Sequence, residues 1–386
     1  MPKLNIVADE NILLLEEFFA PIANITQVDG RAIQPQQVQQ ADALVLRSTA
    51  QVTAELLAGS KVQFVGTCTI GIDHLDTNYM DANAIAWHNA PGCNAEGVVD
   101  YAISAMNHAW QVHGIDPRQT TIGVVGAGNV GGRLIKRLQA AGLKVICSDP
   151  PKQAAQQCSD LPYVSLSELL VTADIVSLHT PLTKTGEDAT LNLIDANLIQ
   201  QLRPGSVLIS AGRGEVVEQL ALLQRLQSQN DLFVYLDVWQ QEPNVDPAIT
   251  SYCQIVTPHI AGHSLEGKVR GTEMIYQSLC QHFALPITQT LAPLLPGAAA
   301  QELSVAGSSG VKMILNAAVN SVYNISQDRD RTLQALPKQA EKQVASEFDK
   351  LRKQYPVRRE FSTLSVSGIQ CVEDRKLLAG LGFQVS

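Results

Sequence analysis

No run of apolar residues in this 386-residue chain reaches the roughly 18 to 20 needed to cross a bilayer. A helical membrane anchor is therefore excluded from the reading. The opening Met1-Pro-Lys-Leu-Asn-Ile-Val-Ala-Asp-Glu10 lacks the charged and apolar regions of a signal peptide, so a cytoplasmic location is expected. Cysteine is sparse: seven residues, odd in number, scattered and without a C-x-x-C pair. That distribution argues against a disulfide framework and against a zinc site, and the expectation is reduced thiols and no metal. Positive charge is also in deficit. The formal net charge is −9, with 16 basic and 28 acidic side chains in residues 1–300 against 12 and 9 in 301–386, which does not fit a nucleic-acid binder. There is no internal repeat and no low-complexity tract.

What the chain does have is length and a glycine loop. A chain of this size exceeds what one hydrophobic core sustains, so two or three domains are expected. Thr121-Ile-Gly-Val-Val-Gly-Ala-Gly-Asn-Val-Gly-Gly132 runs an apolar strand into G-x-G-x-x-G and then into an amphipathic helix. The three glycines serve different ends. Gly126 makes the tight turn, Gly128 lets backbone approach a pyrophosphate, and Gly131 lets the helix pack on the sheet. The helix N-terminus, with Asn129 and Val130 leading into it, then faces the phosphates. A second apolar run ends in Asp149, eighteen residues beyond Gly131, where an acidic side chain accepts hydrogen bonds from an adenosine ribose. NAD is favoured over NADP.

The surrounding pattern is α/β. Apolar strands at 4–8, 43–47, 62–66 and 85–88 alternate with helical patterns near 11–20 and 53–57, and one long helix is read from Asn94 to His113. The alternation restarts at Thr120 and continues through strands at 143–148, 175–178, 206–210, 232–236 and 254–256, giving a six-stranded doubly wound sheet. A helix from 262 to 283 returns the chain to the first domain. Leu285 to Ala300, with three prolines and a glycine, reads as a linker. Beyond it come an apolar helix near 311–323, a charged helix near 338–355, a strand at 361–367 and a last short helix. The expected architecture is a Rossmann NAD-binding domain (96–263), a smaller flavodoxin-like α/β substrate domain (1–95 with 264–285), and a C-terminal α+β domain (297–386) that dimerises.

Three motifs follow the glycine loop, each at the carboxyl end of an expected strand, where open parallel sheets place their ligands. Ser210-Ala-Gly-Arg-Gly-Glu215 supplies Arg213, Leu236-Asp-Val-Trp-Gln-Gln-Glu-Pro243 supplies Asp237 and Glu242, and Thr257-Pro-His-Ile-Ala-Gly262 supplies His259. Singly, an arginine is more often a surface ion pair, a loop acid is usually solvated, and a lone histidine is usually structural. Together they meet the needs of hydride transfer from a 2-hydroxy acid. Arg213 grips the carboxylate bidentately, His259 takes the hydroxyl proton, and Glu242 fixes the imidazole tautomer and stabilises the charged ring.

Glycine loop, S-A-G-R-G-E, L-D-V-W-x-x-E-P and P-H-I-A-G in this order resemble the D-isomer-specific 2-hydroxyacid dehydrogenases over roughly residues 40–280. Further segments, Leu46-Arg-Ser-Thr49, Phe64 to His74, Ala90 to Ala95, Cys147 to Pro151 and, in the tail, Phe348 to Tyr355 with Arg358 to Phe361, are similar to a branch of that family acting on a short phosphorylated hydroxy acid. The tail match separates the chain from phosphoglycerate dehydrogenases. The resemblance implies Arg213, Glu242 and His259 as catalytic, and Ser48 and Thr69 as substrate contacts. For NAD it implies Asp149, Thr180, Ala211, Gly212, Asp237 and Gly262. His263 stands where the resembling enzymes carry tyrosine, which leaves that cofactor contact open. His179 is read as a loop histidine near NAD.

The implied partners are a small phosphorylated acid and a second copy of the chain, bound through the tail into a homodimer. Arg47 with Ser48, and across the dimer at least one of Arg352, Arg358 and Arg359 from the basic run Lys350 to Arg359, are expected to hold the substrate phosphate. Two rival readings remain at this level: another dehydrogenase of the family, acting on 3-phosphoglycerate or an unphosphorylated acid, and a non-catalytic NAD-responsive module similar to transcriptional corepressors.

Overall fold

The computed structural model describes residues 3–155, 160–295, 301–305, 310–336 and 341–386. The chain forms two compact units, one made of Met1–Asn94 with Ser264–Ala298, the other of Ala95–His263 with Ala299–Ser386.

The first unit is built on five parallel strands, β1 (Leu4–Asp9), β2 (Ala23–Val28), β3 (Ala43–Leu46), β4 (Phe64–Thr67) and β5 (Ala86–His88), in the order β2-β1-β3-β4-β5. This is the flavodoxin-like order expected of the smaller domain. Central β3 and β4 are buried at every position, as strands covered on both faces must be. Gly66 carries no side chain because the helix Leu265–His282 lies there: a Cβ would stand 2.3 Å from Ile275 Cγ2. Sequence reading missed β2. It is an edge strand whose four inner positions, Asn24 to Gln27, are at least partly exposed, so it lacks a continuous apolar run. The expected linker Leu285–Ala300 also needs correction over its described part. Leu291–Leu294 is a helical turn, and Leu285, Leu291, Leu294 and Leu295 pack against the core of this unit; Pro296 to Ala300 lie outside the described residues.

The second unit carries β6 (Thr121–Val125), β7 (Lys144–Ser148), β8 (Ile175–Leu178), β9 (Val207–Ser210), β10 (Phe233–Leu236) and β11 (Ile255–Val256), all parallel, in the order β7-β6-β8-β9-β10-β11. The sheet reverses direction of growth between β6 and β8, which makes the crevice above those two strands the ligand-binding switch point. The helix Ala95–Val112 is buried along most of its length, and Gly131–Ala140 packs Leu134, Ile135 and Leu138 inward.

The tail does not stand apart. Its own sheet, β12 (Gln301–Ser304), β13 (Leu364–Ser367) and β14 (Gln384–Val385), is parallel in the order β12-β13-β14. Phe361, Leu364, Val366, Leu377 and Leu378 share one buried core with Tyr101, Ile122 and Leu134 of the dinucleotide-binding part. The expected boundary at residue 297 is therefore a boundary in sequence only: from Ala299 onward the chain belongs to the second unit. The helix expected from Lys338 is found over Glu341–Lys353, with Lys338 to Ala340 outside the described residues, and a further helix, Ile325–Ala335, precedes it. Six cysteines are described, all free; five are buried, Cys371 is exposed, and Cys158 lies outside the described residues. No helix among the described residues is long and apolar enough to cross a membrane.

Candidate active site

The glycine loop adopts the geometry its sequence demands. Gly126 sits at φ +86°, where a side chain would be strained. At Gly131 a Cβ would lie 1.8 Å from the Gly126 carbonyl oxygen, so any other residue would push the helix off the turn. Gly128 has open space around its Cα, as a pyrophosphate requires. Asn129 is exposed, and Val130 leads directly into the helix Gly131–Ala140. Thr180 closes the switch point from the β8 side, with its methyl group against Gly126 and its carbonyl near Gly212. Its hydroxyl is buried without a hydrogen-bond partner. An orphaned hydroxyl at the Gly126 turn, open space at Gly128 and a helix N-terminus without a side-chain cap fit a dinucleotide's phosphates and nicotinamide end.

Asp149 follows β7. One carboxylate oxygen accepts from Ala127 N at 2.7 Å, and the other caps the turn beginning at Pro150 by accepting from Lys152 N at 3.1 Å. Sequence reading missed Lys152, whose ammonium donates to the Ala127 carbonyl at 2.7 Å. It is a cation in the same turn as the ribose-binding acid, brought there by one helical turn that a linear reading does not show.

The catalytic candidates stand on loops after β9, β10 and β11, three neighbours in the sheet. Arg213 follows β9, and its guanidinium donates to its own neighbour's Gly212 carbonyl at 2.9 Å. Next to it Gly214 touches the backbone of Trp239, where a Cβ would stand 2.0 Å from the carbonyl carbon; this contact joins the arginine loop to the loop that bears Glu242. One Glu242 oxygen accepts from Trp239 N at 2.8 Å, and the other lies 2.7 Å from His259 Nδ1. His259 is about one-third exposed, so Nε2 is left for a substrate proton.

The loop bearing His259 is held by Asp237. This carboxylate is wholly buried and accepts from Thr257 Oγ1 at 2.6 Å, Ile260 N at 2.8 Å and Ala261 N at 2.9 Å. Its observed contacts are therefore with the loop leading to Gly262. Among the other histidines, His179 is buried, with Nε2 2.8 Å from Ser177 Oγ, and burial pushes its pKa down to about 4. Burial of that kind makes the imidazole a weaker base. His263 sets its ring edge-on to Tyr355 of the tail, with centroids 5.7 Å apart.

In the first unit, Arg47 and Ser48 follow β3 and Thr69 follows the adjacent β4, so the three share one sheet edge. Arg47 is half-buried and reaches the Asn11 carbonyl at 3.3 Å, while Ser48 is exposed. Thr69 Oγ1 lies 2.8 Å from Thr67 Oγ1, which in turn lies 3.1 Å from His74 Nε2, a hydroxyl relay not legible in the sequence. Burial lowers the His74 pKa, partly offset by Asp73. The expectation for Arg358 is corrected. It is buried within its own chain, over the Tyr323 ring at 4.4 Å, and is not a surface cation available to a neighbouring subunit. Among the described residues no cluster of His, Cys, Asp and Glu is placed to hold a metal ion.

A doubly wound sheet with a fitted glycine loop, a carboxylate-backed histidine and an arginine on an adjoining loop is the equipment of a dinucleotide-dependent dehydrogenase acting on an acid. Comparison with known proteins agrees. Residues 93–261 match the family model of the D-isomer specific 2-hydroxyacid dehydrogenase NAD binding domain, and residues 294–382 match a domain of unknown function. An erythronate-4-phosphate dehydrogenase from Pseudomonas fluorescens is 47% identical over 361 residues, 94% of each chain. Its counterpart in Chromohalobacter salexigens is 44% identical over 99% of each. The NADPH-dependent glyoxylate/hydroxypyruvate reductase of Sinorhizobium meliloti, solved with citrate, superposes with a TM-score of 0.62 at 20% identity, over 75% of this chain and 97% of that one. The NAD+-bound 3-phosphoglycerate dehydrogenase of Entamoeba histolytica gives 0.60 at 22%, over 73% and 96%. At those identities the solved structures share the fold. The chain belongs to the D-isomer-specific 2-hydroxyacid dehydrogenase family, in the branch whose curated members are named erythronate-4-phosphate dehydrogenase.

Proposed function

We propose that the chain oxidises the 2-hydroxyl of 4-phospho-D-erythronate to 3-hydroxy-2-oxo-4-phosphooxybutanoate, with NAD as oxidant, in the cytoplasmic route to pyridoxine 5′-phosphate. The observation that carries the chemistry is the 2.7 Å contact between His259 Nδ1 and Glu242. It directs the imidazole so that Nε2 is the free acceptor for the substrate's hydroxyl proton. Glu242 then balances the positive charge that the ring acquires. Arg213 holds the substrate carboxylate, and Arg47, Ser48 and Thr69 supply donors for its phosphate and hydroxyls. Bound NAD supplies the hydride acceptor. Gly126, Gly128, Asn129, Val130 and Gly131 cradle its pyrophosphate, Asp149 its ribose, and Thr180, Ala211, Gly212, Gly262 and His263 its nicotinamide side, while Asp237 fixes the loop beneath.

The relatives' shared name over nearly the whole chain supports the phosphorylated four-carbon substrate against 3-phosphoglycerate. The intact Arg213, Glu242 and His259 set supports an enzyme against a binding module. Homodimerisation through the tail is part of this reading, supported by the exposed Met313, Val357 and Val372 there. The test is NADH formation with 4-phospho-D-erythronate, 3-phosphoglycerate and unphosphorylated erythronate in parallel. The first should give the highest kcat/KM; no NADH from it, or a higher value for 3-phosphoglycerate, overturns the assignment.

A further inference from the structure

His259 adopts φ +56°, a left-handed conformation that a residue with a Cβ keeps only where its surroundings fix the backbone. Most of the fixing is local. His259 N donates to the Asp237 carbonyl at 2.8 Å, and Ile260 N and Ala261 N donate to the Asp237 carboxylate. The Ala261 carbonyl is different. It is held by Arg358, 97 residues further along the chain, in the region that matches a domain of unknown function.

Arg358 is held through one guanidinium nitrogen and its stacking face. The nitrogen that reaches Ala261 also donates to the Gly97 carbonyl at 3.2 Å, and the guanidinium plane lies over Tyr323. Three residues on, Phe361 N donates to Asp100 Oδ2 at 2.8 Å, so the tail segment is pinned to the helix Ala95–Val112 at two points one turn apart. From the same helix Tyr101 OH contacts Thr257 Oγ1 at 2.8 Å, and Thr257 Oγ1 donates to Asp237. Tyr355, two residues before Val357, sets its ring against His263 and donates its hydroxyl to Asp328 at 2.6 Å. The stretch Thr257 to His263 is thus gripped from the sheet by Asp237 and from the tail by Arg358 and Tyr355.

We propose that the C-terminal region is an intramolecular clamp on the catalytic loop, with Arg358 the positioning residue that sets the Ala261 carbonyl and, through it, the placement of His259. This rests on the dehydrogenase reading above. It gives the tail a role in each subunit's own chemistry, separate from any part in dimer formation. Lysine does not reproduce the arginine: a single ammonium could donate to both carbonyls, but it lacks the planar guanidinium that lies over Tyr323 and fixes the direction of those donors.

The test uses full-length Arg358→Lys and Arg358→Met, with Lys350→Ala, an exposed tail residue paired with Glu347, as control. Wild type is assayed first with 4-phospho-D-erythronate, because an inactive wild type refutes the functional reading and not the clamp. Given an active wild type, Arg358→Lys should fold and lose at least about tenfold in kcat, since misplacement of a catalytic group by 1 Å costs up to about 10². Arg358→Met should lose more, KM for NAD should change far less than kcat, and Lys350→Ala should match wild type. Hydrogen exchange supplies a readout that general destabilisation would not give: the amides of Ile260 and Ala261 should exchange faster in Arg358→Lys while those of β8 and β9 do not. A folded Arg358→Lys with wild-type kcat and unchanged exchange at Ile260 and Ala261 overturns the clamp. So does failure of both variants to fold, which would make Arg358 a determinant of the fold alone.

Discussion

Replacing Glu242 by glutamine changes one oxygen to an NH2 group and leaves shape intact, so its effect can be worked out from two distances. Glu242 accepts from Trp239 N at 2.8 Å and faces His259 Nδ1 at 2.7 Å. A carboxylate can accept from both donors, whereas an amide can accept from only one with its oxygen. If the oxygen of the substituted amide stays on Trp239 N–H, its NH2 faces Nδ1 and forces that nitrogen to be the acceptor. The proton then sits on Nε2, and the imidazole cannot take the substrate's proton. Turning the amide over restores the tautomer but sets NH2 against the Trp239 amide. An unsatisfied buried donor costs about 1–3 kcal/mol, so the productive arrangement is reduced about five- to 150-fold. Loss of the negative charge beside the imidazolium adds to this, and the expected fall in kcat is about 10² to 10⁴, the span of general acid-base catalysis. The assay is steady-state NADH formation across pH, with NAD binding measured separately by fluorescence titration. NAD affinity should hold, because Glu242 acts on the imidazole and not on the dinucleotide loop. A Glu242→Gln enzyme retaining more than about a third of wild-type kcat would refute the tautomer argument.

Arg213→Lys should cost about tenfold or more in kcat/KM despite preserving charge, because the bidentate grip on a carboxylate is lost; kinetics unchanged from wild type would remove Arg213 from the site. Asp149→Asn keeps an oxygen to cap the turn but removes the charge that repels a 2′-phosphate. With Lys152 already in that turn, the preference for NAD over NADP should narrow by about tenfold or more, measured as the ratio of kcat/KM values. An undiminished ratio would show that Asp149 does not read the ribose.

The parts of this molecule legible in sequence are those whose physics is local. The glycine loop announces itself because Gly126, Gly128 and Gly131 each answer a constraint within a few residues, and the buried strands β6, β8 and β9 read as short, mainly apolar runs. Arg213, Glu242 and His259 were legible because each lies a few residues beyond such a strand. The failures are nonlocal or polar. Strand β2 and the helix Ile325–Ala335 carry few apolar side chains in their sequences, Ala-Asn-Ile-Thr-Gln-Val and Ile-Ser-Gln-Asp-Arg-Asp-Arg-Thr-Leu-Gln-Ala. Arg358 reads in sequence as one cation of a basic run expected to reach a substrate phosphate, yet its burial depends on carbonyls at Gly97 and Ala261 and a ring at Tyr323 that no spacing rule connects to it. The tail read as a separate domain because its sequence break is sharp, whereas its core is continuous with that of the dinucleotide-binding sheet.

The central claim is that His259, backed by Glu242, is the base that starts oxidation of a phosphorylated 2-hydroxy acid. Its most direct test is NADH formation from 4-phospho-D-erythronate by wild type, His259→Ala, His179→Ala and His263→Ala, with NAD binding confirmed for each. Robust turnover by wild type and a loss of about 10² to 10⁴ in His259→Ala, well beyond the losses in the other two, is the predicted result. Absence of turnover by wild type, or a larger loss in His179→Ala or His263→Ala than in His259→Ala, would contradict it.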